Sequence, residues 1–521
     1  MSIRKFYVTT AIDYANGDPH FGHALEKIGA DVIARSHRQM GDAVHFLIGM
    51  DEHGQKVAQA AAARGVAPQA FVDSIAARFQ AMWARLGVSY DQFIRTTDPA
   101  HKSGVRRLIE HIADVSPDDF YEKEYEGWYC VGCEVFKRDD EIIDGKCVIH
   151  PTRDLEWTKE RNWFFRLSRY QSFVHDLVTR RPEFIQPATR RNEILALVES
   201  GLDDISITRA RLSWAIDFPI VSPAGGEPQG TWVWFDALPN YLTAAGYPDG
   251  DWRARWPAQL HVVGKDITRL HCVVWPAMLQ SAGLPLPDRV WAHGFISFGG
   301  ERFSKSAGVK IELADEIARF GPEAFRYFLM REIPFDADGD YSVERFEAVY
   351  TSELANGLGN LASRVIAMVE KYRGGVVPAG GPSSLDAAEA ADVAAFQAAL
   401  DGSRGYLCHE AVAATVAMTT RANGFIQQAA PWALAKDPAR AAELDAVLAA
   451  LVRTLARLAV LHSALMPSKA EELWLQLGAP GTAAGTLYGR LGALSATGWN
   501  VAKGGALFPR ADADAAETPK N

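Results

Sequence analysis

Residues 5–51 read KFYVTTAIDYANGDPHFGHALEKIGADVIARSHRQMGDAVHFLIGMD, and this stretch decides the fold class. Phe6-Tyr7-Val8-Thr9 is aromatic and β-branched, the texture of a strand; Leu25, Ile28 and Val32 then recur at helical spacing up to Gly41. Val44 to Ile48 supplies the next strand. Strand, loop, helix, strand is the crossover unit of a parallel sheet, whose ligands sit beyond the carboxyl ends of its strands. The first loop and Asp51 occupy such ends. A second stretch of the same kind runs from about Leu260 to Phe298, with strands at His261-Val262-Val263 and Val290-Trp291-Ala292 flanking a helical pattern.

Between these halves lies a segment rich in cysteine, aromatics and hairpin signals such as Asp144-Gly145, which reads as an insertion. After about Tyr341 the strand signals fade into Ala- and Leu-rich stretches of period near 3.6, as in Leu444 to Leu465. Gly374 to Pro382 is expected as a loop between helices of that bundle. The fold class is therefore α/β: a Rossmann-like, doubly wound parallel sheet split by an insertion and followed by an all-α bundle.

Composition narrows the function by exclusion. The 521 residues, 48% hydrophobic and 23% charged, suffice for several cores. No run of 18 apolar residues and no leader-like h-region occurs, so a cytoplasmic chain with no membrane partner is expected. Five cysteines cannot staple so long a chain, and three of them, Cys130, Cys133 and Cys147, crowd together. A formal charge of −10 requires any nucleic acid to meet a local basic patch.

Asp18-Pro19-His20-Phe21-Gly22-His23 sits where the first strand hands over to a helix, with Pro19 suited to its first turn. Two imidazoles one turn apart beside free helix N–H groups suit a triphosphate, and Gly22 admits a nucleotide close to the backbone. Surface histidines at a helix cap fit the pattern equally. Just past the second half-sheet comes Gly300-Glu301-Arg302-Phe303-Ser304-Lys305-Ser306-Ala307-Gly308. Such a loop is either solvated surface or a carrier for a lysine that follows charge onto a leaving pyrophosphate. Neither a P-loop nor a GxGxxG fingerprint is present.

These two segments resemble the HIGH and KMSKS signatures of class I aminoacyl-tRNA synthetases. Phe21 stands in place of Ile and Arg302-Phe303 in place of Lys-Met, while the second lysine is kept as Lys305. The resemblance implies ATP with Mg²⁺ as co-substrate, catalytic roles for His20, His23 and Lys305, and ATP contacts from His20, Gly22, His23, Gly264, Asp266, Arg302, Ser304 and Lys305. The Leu, Ile and Val enzymes carry an editing insertion too large for this chain, which leaves Met and Cys as amino acids.

Cys130-x-x-Cys133 and Cys147-x-x-His150, thirteen residues apart, form two ligand pairs in the insertion. They suit one closed tetrahedral Zn²⁺ of structural type, the alternative being unliganded thiols in a small core. Methionyl-tRNA synthetases resemble this with one or two such knuckles. Val233 to Tyr241 (VWFDALPNY) is similar to that family's aromatic pocket segment, and a thioether wants aromatic faces and adaptable apolar walls. The likeness places Ala11, Ile12, Tyr14, Trp234, Ala237, Leu238, Tyr241, Ile267 and His271 around methionine. Asp51 is expected to pair with the substrate ammonium, or else to be a solvated turn residue. Met50 stands where the family usually has Thr. Ile205 to Arg209 (ISITR) resembles another family segment, with Arg209 as a carboxylate-side or structural partner.

In the bundle, Asn360, Arg364 and Trp432 match the family's anticodon-reading residues; helical core and capping are the other roles such residues take. The resemblance runs from Lys5 to about Pro509. It implies methionine and methionine tRNA, initiator and elongator, as partners. Its expected divisions are 1–115 and 196–298 for the two catalytic halves, 116–195 for the connective insertion, 299–345 for the signature loop and stem-contact region, and 346–510 for the anticodon-binding bundle, with 511–521 a disordered tail. No further domain follows the bundle in this reading, so a monomer is expected.

Overall fold

The computed structural model describes residues 3–131, 135–137, 139–149, 151, 154–210, 212–223, 225, 228–299, 301–302 and 312–509. Among them, the strand Lys5–Thr10 lies at the centre of a seven-stranded sheet whose pairings are all parallel. Ala43–Asp51 pairs with one side of it (Thr9 opposite Leu47) and Leu260–Gly264 with the other (Thr10 opposite Val262). Gln92–Arg95 and the short Asp13–Tyr14 extend the sheet beyond Ala43–Asp51, and Val290–His293 followed by Ile185–Gln186 extends it beyond Leu260–Gly264. The chain thus winds outward one way, returns, and winds outward the other way. The gap beyond the carboxyl ends of Lys5–Thr10 and Leu260–Gly264 is the switch point where such sheets hold ligands.

The expected helix runs from Phe21 to Met40 and ends at Gly41. Its start differs by two positions from the sequence reading. His20, extended at φ −132°, is the cap, so Pro19 stands before the helix rather than in its first turn. Both expected strands of the second half are present, as Leu260–Gly264 and Val290–His293, joined by a π-helical turn at Leu270–Val274 that continues into the α-helix Trp275–Ser281.

The insertion is built on a long antiparallel pair, Phe120–Cys130 with Glu156–Phe165, in register from Phe120 opposite Phe165 to Tyr129 opposite Glu156. At its base Phe120, Phe165 and Phe235 meet ring to ring, 5.6–6.1 Å apart, which joins the insertion to the segment containing Trp234. Asp144 (φ 51°) and Gly145 (φ 73°) turn a hairpin between Ile142–Ile143 and Lys146–Cys147, as that dipeptide implies.

From Val343 onward the described residues are helical apart from connections, and Asn360–Arg373, Ser384–Ala398, Cys408–Ala429 and Ala441–Leu465 are the long members. Gly374 to Ser383 is the connection expected there. Every residue from Val447 to Leu465 is buried, the mark of a helix surrounded by its neighbours. Arg326, fully buried, fastens this bundle to the sheet layer. It pairs with Asp31 on the first helix at 2.8 Å and donates to the carbonyls of Leu465 and Ala464 at 2.9 and 3.0 Å.

Candidate active site

A crevice of about 950 Å³ opens at the switch point. All ten residues expected around the amino acid lie on it: Ala11, Ile12 and Tyr14 from the first loop, Asp51 from the end of Ala43–Asp51, Trp234, Ala237, Leu238 and Tyr241 from the pocket segment, and Ile267 and His271 beyond the strand Leu260–Gly264. Asp266 and Arg209 also line it. The insertion contributes Phe136, Lys137, Glu141 and Ile149 to the same walls, and Lys56 projects over the Tyr14 ring at 5.3 Å. Sequence reasoning did not find these five, because nothing local in their segments marks them as facing the sheet.

The apolar end is held by a chain of hydrogen bonds. His271 Nδ1 faces the Ile267 carbonyl at 3.0 Å, so that nitrogen carries the proton and donates. Its Nε2 is then an acceptor, and the Tyr241 hydroxyl donates to it at 2.7 Å. Burial pushes His271 down to about 4 and holds Tyr241 well above the ordinary phenol range, so both are neutral near pH 7. Tyr7 in turn donates to the Tyr241 carbonyl at 2.8 Å, and the Trp234 indole meets the His271 ring edge to face at 6.4 Å. These groups present an uncharged, aromatic, polarisable surface.

Asp51 is buried, and its carbonyl accepts from Ala15 N–H at 2.9 Å, which fixes the first loop against the strand. Behind that loop Lys27 is wholly enclosed. It donates to the Ala11 carbonyl (2.9 Å), Asp13 (2.6 Å) and Glu26 (2.8 Å), and Glu26 reaches His293 Nε2 at 3.2 Å. Burial, opposed by Lys27, raises the Asp13 carboxyl to about 7. Arg209 is held by the Ser206 and Thr208 carbonyls (3.1 and 2.7 Å) among the rings of Tyr129, Phe136 and Trp232.

At the helix start the two signature imidazoles stack, with centroids 3.6 Å apart. Gly22 N–H donates to His20 Nδ1 at 3.2 Å and His20 N–H donates to His23 Nδ1 at 3.3 Å. Both rings therefore carry their proton on Nε2. His23 is held well below its ordinary value by burial, then by His20 and Lys27, so it is a neutral donor rather than a cation. A Cβ on Gly22 would stand 3.1 Å from the His20 ring, and one on Gly264 would stand 2.7 Å from Asp266 Oδ1; glycine lets each polar group fold back on the chain.

Of the second signature, Arg302 is described as backbone paired with Ser297, and Ser304 and Lys305 lie outside the described residues. Cys130 and Cys147 are buried in the insertion with no disulfide between them, while Cys133 and His150 lie outside the described residues. In the bundle Asn360 and Arg364 share the helix Asn360–Arg373, and Arg364 Nη1 donates to Asn423 Oδ1 at 3.2 Å. Trp432 is 43% exposed, two residues after Ala430, whose left-handed backbone (φ 44°) turns the chain there. Among the described residues no helix is long and apolar enough to cross a membrane.

The model of the family described as "tRNA synthetases class I (M)" matches residues 6–154 and 138–366. A methionine--tRNA ligase of Brucella melitensis is 42% identical over 491 residues, covering 92% of this chain and 93% of that protein. One from Thermosynechococcus vestitus is 40% identical over 485 residues, covering 91% and 90%. Among solved structures, the Mycobacterium tuberculosis methionyl-tRNA synthetase in complex with methionyl-adenylate superposes with a TM-score of 0.91 at 38% identity, covering 98% of this chain and 100% of that one.

Proposed function

The chain belongs to the class I tRNA synthetases of the methionine type, and from that premise we infer that it performs the methionine--tRNA ligase reaction. The methionine carboxylate attacks the α-phosphorus of Mg·ATP in line, pyrophosphate leaves, and methionyl-adenylate forms. The terminal ribose hydroxyl of methionine tRNA then attacks the acyl carbonyl and AMP leaves. No covalent intermediate with the protein is required, so its contribution is positioning and electrostatics.

The observation that carries this assignment at the level of residues is the crevice itself, which gathers Ala11, Tyr14, Asp51, Trp234, Tyr241 and His271 from distant parts of the sequence at one switch point. Its neutral aromatic end suits a thioether, and its buried carboxylate suits an ammonium. In this reading His20 and His23 donate to phosphate oxygens through Nε2, Gly264 and Asp266 meet the nucleoside, and Arg302, Ser304 and Lys305 engage the departing pyrophosphate. Asn360, Arg364 and Trp432 read the anticodon. Cys130, Cys133, Cys147 and His150 hold one structural Zn²⁺, a proposal that rests on the soft donor set and on the burial of Cys130 and Cys147 in the insertion. The divisions at 115, 195, 298 and 345 follow the same scheme.

Methionine-dependent exchange of pyrophosphate into ATP tests the assignment, and cysteine in place of methionine should support orders of magnitude less. Lys305→Ala should slow maximal exchange by about a hundredfold or more with little change in the methionine KM, because its charge matters chiefly as pyrophosphate separates. An unchanged maximal rate at saturating ATP would remove Lys305 from the mechanism.

A further inference from the structure

Behind the crevice, and not part of its lining, sits a carboxylate with no solvent exposure that receives two imidazoles. Asp236 Oδ2 accepts from His53 Nδ1–H at 2.6 Å, and Asp236 Oδ1 accepts from His101 Nε2–H at 3.0 Å. His101 Nδ1 meets Thr243 Oγ1 at 2.8 Å. All four side chains are buried.

What makes this cluster informative is the set of segments it joins. His53 lies two residues beyond Asp51, in a turn otherwise fixed by its own contacts. Glu52 N–H donates to Thr96 Oγ1 at 2.9 Å, and the Glu52 carbonyl accepts from Trp214 Nε1 at 2.6 Å. Asp236 lies on the short helix Val233–Ala237 that presents Trp234 and Ala237, and Thr243 ends the helix Asn240–Thr243 that presents Tyr241. His101 belongs to the helix Pro99–Val115, against which this second helix is pressed so closely that a Cβ on Gly104 would stand 2.5 Å from the Thr243 methyl. One buried carboxylate therefore ties the ammonium side of the crevice to both of its aromatic walls.

The geometry points to Asp236 as a positioning residue that sets methionine affinity and side-chain discrimination without touching the substrate, holding Asp51 and the walls at Trp234 and Tyr241 as one rigid frame. The inference rests on reading the crevice as the methionine site. A merely structural carboxylate would be indifferent to which substrate is measured. This one acts on the methionine side alone, because it and its partners sit in the segments that carry Asp51, Trp234 and Tyr241 and not in those that carry His20, His23 or Asp266.

Asp236→Asn keeps the size but turns one acceptor into a donor facing an imidazole N–H and removes the charge. One of the two bonds then breaks, or its imidazole must shift its proton to the other ring nitrogen, away from the contacts that nitrogen now makes. The full-length variant should show a methionine KM raised by about ten- to a hundredfold, an ATP KM within about twofold of wild type, and reduced preference for methionine over norleucine in the same exchange assay. His101→Gln, which can still donate to Asp236 but loses Thr243, should fall between wild type and Asp236→Asn. A folded Asp236→Asn with unchanged methionine KM and unchanged discrimination overturns the proposal. So does a parallel rise in both KM values with a lowered melting temperature, which is what general loosening produces. Should Asp236→Asn not fold, His53→Gln and His101→Gln carry the same two readouts. Wild type that fails to exchange with methionine at all would sink the methionine reading itself, before any variant is compared.

Discussion

The crevice proposed for methionine and the bundle residues proposed for the anticodon, Asn360, Arg364 and Trp432, are built in opposite ways. On the crevice and directly behind it, polar side chains are held by one another: Tyr241 with His271 on its wall, and behind it Lys27 with Asp13 and Glu26, and Asp236 with two histidines. On the bundle Trp432 stands 43% exposed and Arg364, part-buried, donates to Asn423 at 3.2 Å. A small ligand that must be told from its near isosteres needs walls fixed before it arrives, since a wall that yields cannot discriminate. An RNA loop brings its own bases to stack and pair, and side chains held loosely at a surface can meet them. Changes in the crevice should therefore spread to several parameters of one substrate, and changes on the bundle should stay local.

The largest effect is expected where the contrast is sharpest. Asp51→Ala removes the buried carboxylate proposed to pair with the substrate ammonium and should raise the methionine KM by about two to three orders of magnitude, with the ATP KM nearly constant. A change under threefold would show that the ammonium is held elsewhere. Trp432→Ala removes the stacking surface proposed for an anticodon base, worth about 1–3 kcal/mol. Charging of methionine tRNA should then drop by about one to two orders, while exchange without tRNA stays at the wild-type rate. Arg364→Ala should behave alike, about tenfold down in kcat/KM for tRNA. Loss of exchange in either variant would place these residues in the core, and the comparison would collapse.

Two smaller effects sharpen it. Metal analysis should return about one zinc per chain, and Cys147→Ser should expose the insertion to proteolysis before the bundle. Zinc-free protein with a protease-resistant insertion would refute the ligand set. The smallest effect concerns His462 on the central bundle helix, which burial pushes from 6.5 down to about 3. Its folded pKa lies below its unfolded one, so the unfolded chain binds more protons between those values. The stability it contributes is complete above about pH 6.5 and lost progressively as pH falls toward 3. Between about pH 7.5 and pH 6 the loss should be about 1 kcal/mol, and His462→Leu should flatten that slope in denaturant titrations. An identical slope in the variant would assign the acid sensitivity to other groups.

Local periodicity was enough for Phe21–Met40, Ala43–Asp51, Leu260–Gly264 and the helix at Leu444 to Leu465, because an amphipathic or buried element writes its period into its own residues. The turn at Asp144-Gly145 was equally legible, since a backbone at positive φ restricts which residues can stand there. Resemblance supplied the ten residues around the crevice, and the fold brought them together. Pro19 was misplaced by the sequence reading because proline satisfies its geometry as well before a cap as after one, and only the His20 side chain, accepting from Gly22, decided which. The triad of His53, Asp236 and His101 had no local signal at all. His101 lies 135 residues from its partner on a helix that otherwise reads as ordinary amphipathic surface. Two buried imidazoles and a carboxylate acquire meaning only when tertiary packing removes water from around them and brings them within hydrogen-bond reach of one another. Sequence by itself determined which segments are helix and strand and which chemistry they carry; packing decided which side chains share a site, because that depends on distances a linear chain does not encode locally.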